Sequence, residues 1–140
     1  MAYIDTSVLA AYYCPEALSS MVQDEIGKVD DPLISRLVEV ELHSAVAQKL
    51  RARELEQAAA NQILSLFQVH LARGYYRLAS IEEREYSLAR DWIGRFNTPL
   101  RTLDALHLAA AFVNETRILT SDQGLARSAS LLGIAFQLIS

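Results

Sequence analysis

Short apolar runs alternate along this chain with longer amphipathic ones, and that alternation restricts the fold more than any other feature. The runs "AYID", "PLIS", "YYRLAS", "RILTS" and "IAFQLI" read as strands. Between them lie helical patterns: "EALSSMVQDEIGK" after Pro15, Arg36 to about Arg53, Leu55 to about Leu71, a stripe of Ala89, Trp92, Ile93 and Phe96, and "DQGLARSASLLG". Gly74 is placed to end the helix before it. "LDALHLAAAFV" is apolar on nearly every side and reads as a buried helix. Strands separated by helices imply an α/β fold, with a central, mainly parallel sheet covered on both faces. With 140 residues and no linker, repeat or low-complexity tract, residues 1–140 read as a single domain.

Composition narrows the function. At 51% hydrophobic and 21% charged residues the chain is globular, and no apolar run approaches a membrane span. The opening "MAYID" has no basic segment and apolar core of a secretory signal, so the expectation is a cytoplasmic protein. Cys14 is the only cysteine, which excludes an internal disulfide and a thiolate zinc site. A net charge of −4 argues against bulk electrostatic coating of nucleic acid, but not against a nuclease whose acids are neutralised by metal. Of 13 basic residues only Lys28 and Lys49 are lysine; the arginine excess suits phosphate or carboxylate contacts, or simply a solvated surface.

The chemistry concentrates in acids at junctions. Asp5, in "YIDTSVLAAYY", directly follows the first strand, where open parallel sheets gather functional groups. Asp122, in "RILTSDQGLA", repeats the pattern of strand, hydroxyls and carboxylate. Either acid, or Ser121, would equally serve as a helix cap. Asp104 stands near the start of the most apolar helix, where Thr102 is the expected cap. A carboxylate buried there needs a partner or a cation. In "SRLVEVELHSAVAQK" the residues alone leave Glu39 and Glu41 as equal alternatives, each flanking the apolar stripe.

The set says more than its members. Two carboxylates ~5 Å apart repel by about 3 kcal/mol at an effective dielectric near 20, so a convergent cluster calls for a cation. Oxygen ligands without cysteine or clustered histidine point to magnesium or manganese, the equipment of metal-assisted phosphodiester hydrolysis. Thr6 and Thr120 are candidates for bonds that orient the carboxylates, or for plain turn hydroxyls. His107, three residues beyond Asp104, is either a general acid or a hydrogen-bonded core histidine. His43, His70 and Cys14 have no companion that suggests a site, and Trp92, Tyr12 and Tyr13 read as core or as base-stacking residues.

Four blocks in order, "YIDTSVLAAYY", "ELHSA", "LRTLDALHLAAA" and "ILTSDQGLARSASLLGI", resemble those of PIN-domain ribonucleases, most closely the VapC-type toxins of bacterial toxin–antitoxin pairs. The resemblance runs from Tyr3 to Ile134 and aligns the family glutamate with Glu41. It implies a three-layer α/β/α fold and a magnesium- or manganese-dependent endoribonuclease. It further implies metal ligation by Asp5, Glu41, Asp104 and Asp122, homodimerisation, and inhibition by a cognate antitoxin.

Rival classes fail on particular residues. A haloacid-dehalogenase-type phosphatase needs a second Asp where Ser7 stands; a receiver domain needs a late Lys; no glycine-rich nucleotide loop is present. The surviving alternative is a catalytically silent PIN-like protein-interaction module, whose acids would only cap helices.

Overall fold

The computed structural model describes every residue from Met1 to Ser140. Five strands alternate with seven helices: β1 (Ala2–Ile4), α1 (Thr6–Tyr13), α2 (Ser19–Gly27), β2 (Pro32–Ser35), α3 (Arg36–Arg51), α4 (Gln57–Ala72), β3 (Arg77–Ala79), α5 (Glu83–Ile93), α6 (Thr102–Val113), β4 (Arg117–Thr120), α7 (Gln123–Leu132) and β5 (Phe136–Leu138). The strands form one sheet in the order β3-β2-β1-β4-β5, and every neighbouring pair is parallel. Consecutive residues of β1 (Ala2, Tyr3, Ile4) and β4 (Ile118, Leu119, Thr120) are all buried. Burial of successive, oppositely directed side chains means that helices cover both faces, giving the expected three-layer α/β/α architecture.

The centre of the sheet determines where a site can form. Tyr3 pairs in register with Leu33 on one side and Ile118 on the other, so the strand order reverses about β1. Beyond the carboxyl ends of β1 and β4 the connections diverge to opposite sides and leave a crevice. Asp5 and Asp122 both lie at that end of the sheet.

Local chemistry explains the helices that border the crevice. Asp5 leaves β1 in an extended conformation and caps α1, its carboxylate accepting from the Thr6 amide. Ser35 ends β2 and caps α3 through the Val38 amide, while Lys49 and Arg51 complement the negative end of α3. In α6 every residue from Ala105 to Ala111 is buried, as its all-round apolar sequence demands. Its run of three alanines lets neighbouring elements approach closely. Trp92 of α5 packs edge-on to Phe112 of α6 and belongs to the core. Gly133 (φ 71°) closes α7 in the left-handed conformation, and Gly74 (φ 73°) follows α4.

The structure departs from the sequence expectations in three places. Phe96 does not continue the α5 stripe: the helix stops at Ile93, and Phe96 lies in the following turn at φ 57°. Thr102 is not the cap of α6 but its first residue; Arg101 occupies the cap position without a side-chain bond to the helix. The helix after Pro15 begins only at Ser19. The Ser19 hydroxyl is bonded to the Ala11 and Cys14 carbonyls and accepts from the Glu16 amide, holding residues 16–18 in a turn. No helix is long and apolar enough to cross a membrane.

Candidate active site

Asp5 is 5% exposed, and both of its carboxylate oxygens are fixed by the chain. Oδ1 accepts from the Thr6 amide at 2.8 Å. Oδ2 accepts from the Ser7 hydroxyl at 2.7 Å and from the Thr120 hydroxyl at 2.8 Å. These hydroxyls also stitch the crevice shut at its base. The Thr120 oxygen accepts from the Asp122 amide at 3.0 Å, and the Ser7 oxygen accepts from the Ser121 amide at 3.0 Å. Thr120 therefore bridges two of the four acids, tying the end of β1 to the start of α7.

Asp122 is exposed and caps α7, with Oδ1 accepting from the amides of Gly124 (2.8 Å) and Leu125 (3.2 Å). A side chain at Gly124 would meet that oxygen, since a Cβ there would sit 3.2 Å from it. The capping alternative for Asp122 is thus real, and it occupies only one of the two oxygens.

Glu41 and Glu39, indistinguishable by pattern, part company in space. Glu39 binds Arg36 at 3.0 Å and Gln68 at 3.0 Å on the outside of α3. Glu41 turns toward the crevice, where Oε1 accepts from the Thr6 hydroxyl at 2.7 Å and from Nε2 of His107. His107 is 1% exposed; its Nδ1 lies 2.7 Å from the Tyr3 hydroxyl, which lies 2.7 Å from the Ser35 hydroxyl. One arrangement of protons satisfies the whole row: Ser35 donates to Tyr3, Tyr3 to Nδ1, and Nε2–H to Glu41. Burial alone would raise the Glu41 carboxyl, but the bonds from His107 and Thr6 outweigh it and hold the group below its ordinary range.

Asp104 stands in the first turn of α6, half-buried, on the wall of a cleft of about 300 Å³ shared with Pro99, Leu100, Arg101, Asp122 and Gly124. The hydrogen bonds of the site run to Asp5, Glu41 and Asp122 and none runs to Asp104. Its carboxyl is raised, first by burial and then by the charges of Asp5 and Asp122, with His107 opposing and Glu41 adding to the rise. The four predicted acids thus share one electrostatic environment, and Asp104 bears its cost.

A divalent cation would relieve that excess of negative charge. No three acidic, histidine or cysteine side chains converge tightly enough to cage an ion by themselves. An ion here would keep part of its water shell, which is how magnesium binds, through one or two carboxylates and retained waters. The donor set, all carboxylate oxygen, fits magnesium or manganese.

The family model of the PIN domain matches residues 2–131. The chain belongs to the PIN-domain family. Solved structures similar to this PIN domain include VapC20 of Mycobacterium tuberculosis, described as a sarcin-ricin loop cleaving toxin (16% identity, 96% of this chain and 97% of that one, TM-score 0.73). VapBC2 of Rickettsia felis, bound to a DNA fragment from its promoter, is 14% identical over the whole of both chains with a TM-score of 0.70. A toxin–antitoxin complex from Klebsiella pneumoniae is 14% identical, covering 90% of this chain and 91% of that one, at 0.65. At these identities the likeness is one of fold. No curated protein matches the chain significantly by sequence.

Tyr3, Ser7 and Ser35 escaped the sequence reading, and His107 was only half read. Tyr3 looks like an ordinary strand residue, and nothing in a linear pattern reports that its hydroxyl meets an imidazole 104 positions away. His107 is the buried, hydrogen-bonded histidine that its apolar helix suggested, yet its partner is a site acid. Its position one turn beyond Asp104 was the available signal.

Proposed function

We propose that this PIN domain is a magnesium- or manganese-dependent endoribonuclease of the VapC toxin type, which hydrolyses RNA phosphodiester bonds and is neutralised by a cognate antitoxin. The observation that carries the reading is geometric: Thr6 bonds both Asp5 and Glu41, Thr120 bonds both Asp5 and Asp122, and Asp104 lines one cleft with Asp122. Four carboxylates from distant parts of the sequence are thus linked at one end of the sheet, and a chain that used them only as caps would have no cause to link them.

Asp5, Glu41, Asp104 and Asp122 would hold the ion, directly or through water. Bound there, the ion supplies a Lewis acid for the scissile phosphate and lowers the pKa of a coordinated water. The chain's own part is pre-organisation. Thr6, Ser7 and Thr120 fix Asp5 so that it costs no reorganisation when substrate arrives, and Thr6 with His107 fixes Glu41. Asp104 and the second oxygen of Asp122 carry no protein donor and are free to engage ion, water or substrate.

The antitoxin partner has its own support. An apolar groove of about 610 Å³ opens between α3, the end of β3 and α5, lined by Leu37, Val40, Leu78, Ile81 and Tyr86. Val40, Leu78 and Tyr86 are exposed there, as a protein-docking surface requires. Structures of this fold include a toxin–antitoxin complex. A homodimer and a cytoplasmic site of action complete the proposal.

Purified, antitoxin-free protein should cut a total small-RNA pool into discrete fragments with magnesium or manganese but not with EDTA. The Asp104→Asn variant should lose that cleavage while keeping the parent's circular dichroism spectrum. Metal-dependent fragments from well-purified Asp104→Asn would overturn the assignment. Absence of both cleavage and manganese binding in the parent would leave the protein-interaction module.

A further inference from the structure

The loop between α5 and α6, "GRFNTPLR" from Gly94 to Arg101, contains the most exposed large apolar side chain of the protein. Phe96 is 91% exposed and sits at φ 57°, in the left-handed conformation that also follows α3 at Arg53 and α6 at Glu115. The loop is anchored on both sides of this ring. The Arg95 and Phe96 amides donate to the Trp92 and Ile93 carbonyls, and Leu100 packs against the core four residues later. No other aromatic ring partners Phe96.

Position gives this exposure a meaning. Pro99, Leu100 and Arg101 of the same loop line the cleft that contains Asp104 and Asp122. Three residues span at most ~11 Å, so Phe96 stands within about three stacked bases of that cleft. Arg95 and Arg101 flank it, both exposed, and the ion pairs of the chain lie elsewhere. An exposed aromatic face and unpaired guanidinium groups carried on one loop that reaches an acidic cleft are the combination that grips single-stranded nucleic acid. A protein partner is less well matched: it would meet one isolated ring here, whereas the α3–β3–α5 groove offers it a continuous apolar surface.

We propose that this loop is the substrate-positioning element of the site: Phe96 stacks on an unpaired RNA base near the scissile phosphate, and Arg101 contacts the adjoining backbone. The proposal rests on the nuclease reading for its substrate and adds binding residues that reading did not contain.

The test is binding of a short fluorescein-labelled single-stranded RNA to the full chain in EDTA, followed by anisotropy. Phe96→Gly is the informative variant, because glycine accepts the backbone conformation and its melting temperature should equal or exceed the parent's. Its affinity should fall about tenfold or more, while Phe96→Trp keeps the parent's affinity. Arg101→Ala should reduce the slope of log affinity against log salt by about 0.7. Parent-like affinity in Phe96→Gly overturns the proposal. Asp104→Asn separates the two ideas, since it should bind RNA without cutting it. Cleavage that needs Asp104 but ignores Phe96 sinks the loop alone; Phe96-dependent binding without any metal-dependent cleavage sinks the nuclease alone.

Discussion

The hydroxyl of Tyr3 and the Nδ1 atom of His107 meet 2.7 Å apart in the core of the protein, joining the central strand to the buried helix α6. Through His107 this bond reaches Glu41, so a residue with no access to solvent sets the orientation of a candidate metal ligand. Tyr3→Phe removes the donor to Nδ1 and leaves two buried polar atoms, on His107 and Ser35, short of a partner. Urea denaturation should show a loss of about 1–3 kcal/mol. His107→Gln keeps a donor toward Glu41 and should retain more manganese affinity by calorimetry than His107→Leu, which cannot.

Asp122 has two tasks that can be pulled apart. Asparagine caps a helix about as well as aspartate, so Asp122→Asn should melt within a degree or two of the parent while losing cleavage. Asp122→Ala forfeits the bonds to the Gly124 and Leu125 amides as well and should cost a further ~1 kcal/mol. Equal stability of the two variants would show that the cap contributes nothing.

Asp104 should be a burden to the metal-free fold. Its carboxyl is raised by burial and by its acidic neighbours, so the folded chain binds that proton more tightly than the unfolded chain. Stability linked to this group is complete below the ordinary aspartate pKa, falls as pH rises through the raised one, and stays reduced at neutral pH. In EDTA at pH 7, Asp104→Asn should therefore melt above the parent. Added manganese should narrow or reverse the difference, because only the parent gains a full ligand set. A variant that melts below the parent in EDTA would contradict the crowding of the four acids.

A second pH effect lies far from the crevice. The Tyr13 hydroxyl is 2.6 Å from Nδ1 of His70 and 2.6 Å from the Tyr76 hydroxyl, and the His70 ring stacks on Tyr75. Burial, with help from Arg73, lowers the His70 pKa. The unfolded chain then takes up the proton first, so stability is full above the unfolded pKa of about 6.5 and is lost as pH falls through the depressed folded value. Urea midpoints at pH 7.5 and 5.5 should differ less in His70→Gln than in the parent.

Much of this architecture was written in local pattern. "PLIS" is a strand from Pro32 to Ser35 as read, and the apolar "LDALHLAAAFV" could only be a buried helix. Asp5 and Asp122 were visible because strand-to-helix junctions are short and recurrent. What escaped depends on the third dimension. Glu39 and Glu41 differ by about 200° around α3, yet only the neighbours of that helix decide which direction holds Arg36 and which holds His107. Phe96 fits a helical stripe by spacing, but the chain has already left the helix at Gly94. The role of Tyr3 is invisible in principle, since a strand's sequence does not reveal what lies above its face.

The central position of β1 also bears on the order in which the protein comes off the ribosome. Asp5 is made well before the group that holds it from the other side, the hydroxyl of Thr120, 115 residues later. Until β4 has emerged, one edge of β1 has no partner and the crevice has only one wall. A growing or prematurely ended chain can thus carry the early acids without assembling them. The constellation exists only once β4 and the start of α7 have been made, so the early acids wait on the late ones for their geometry.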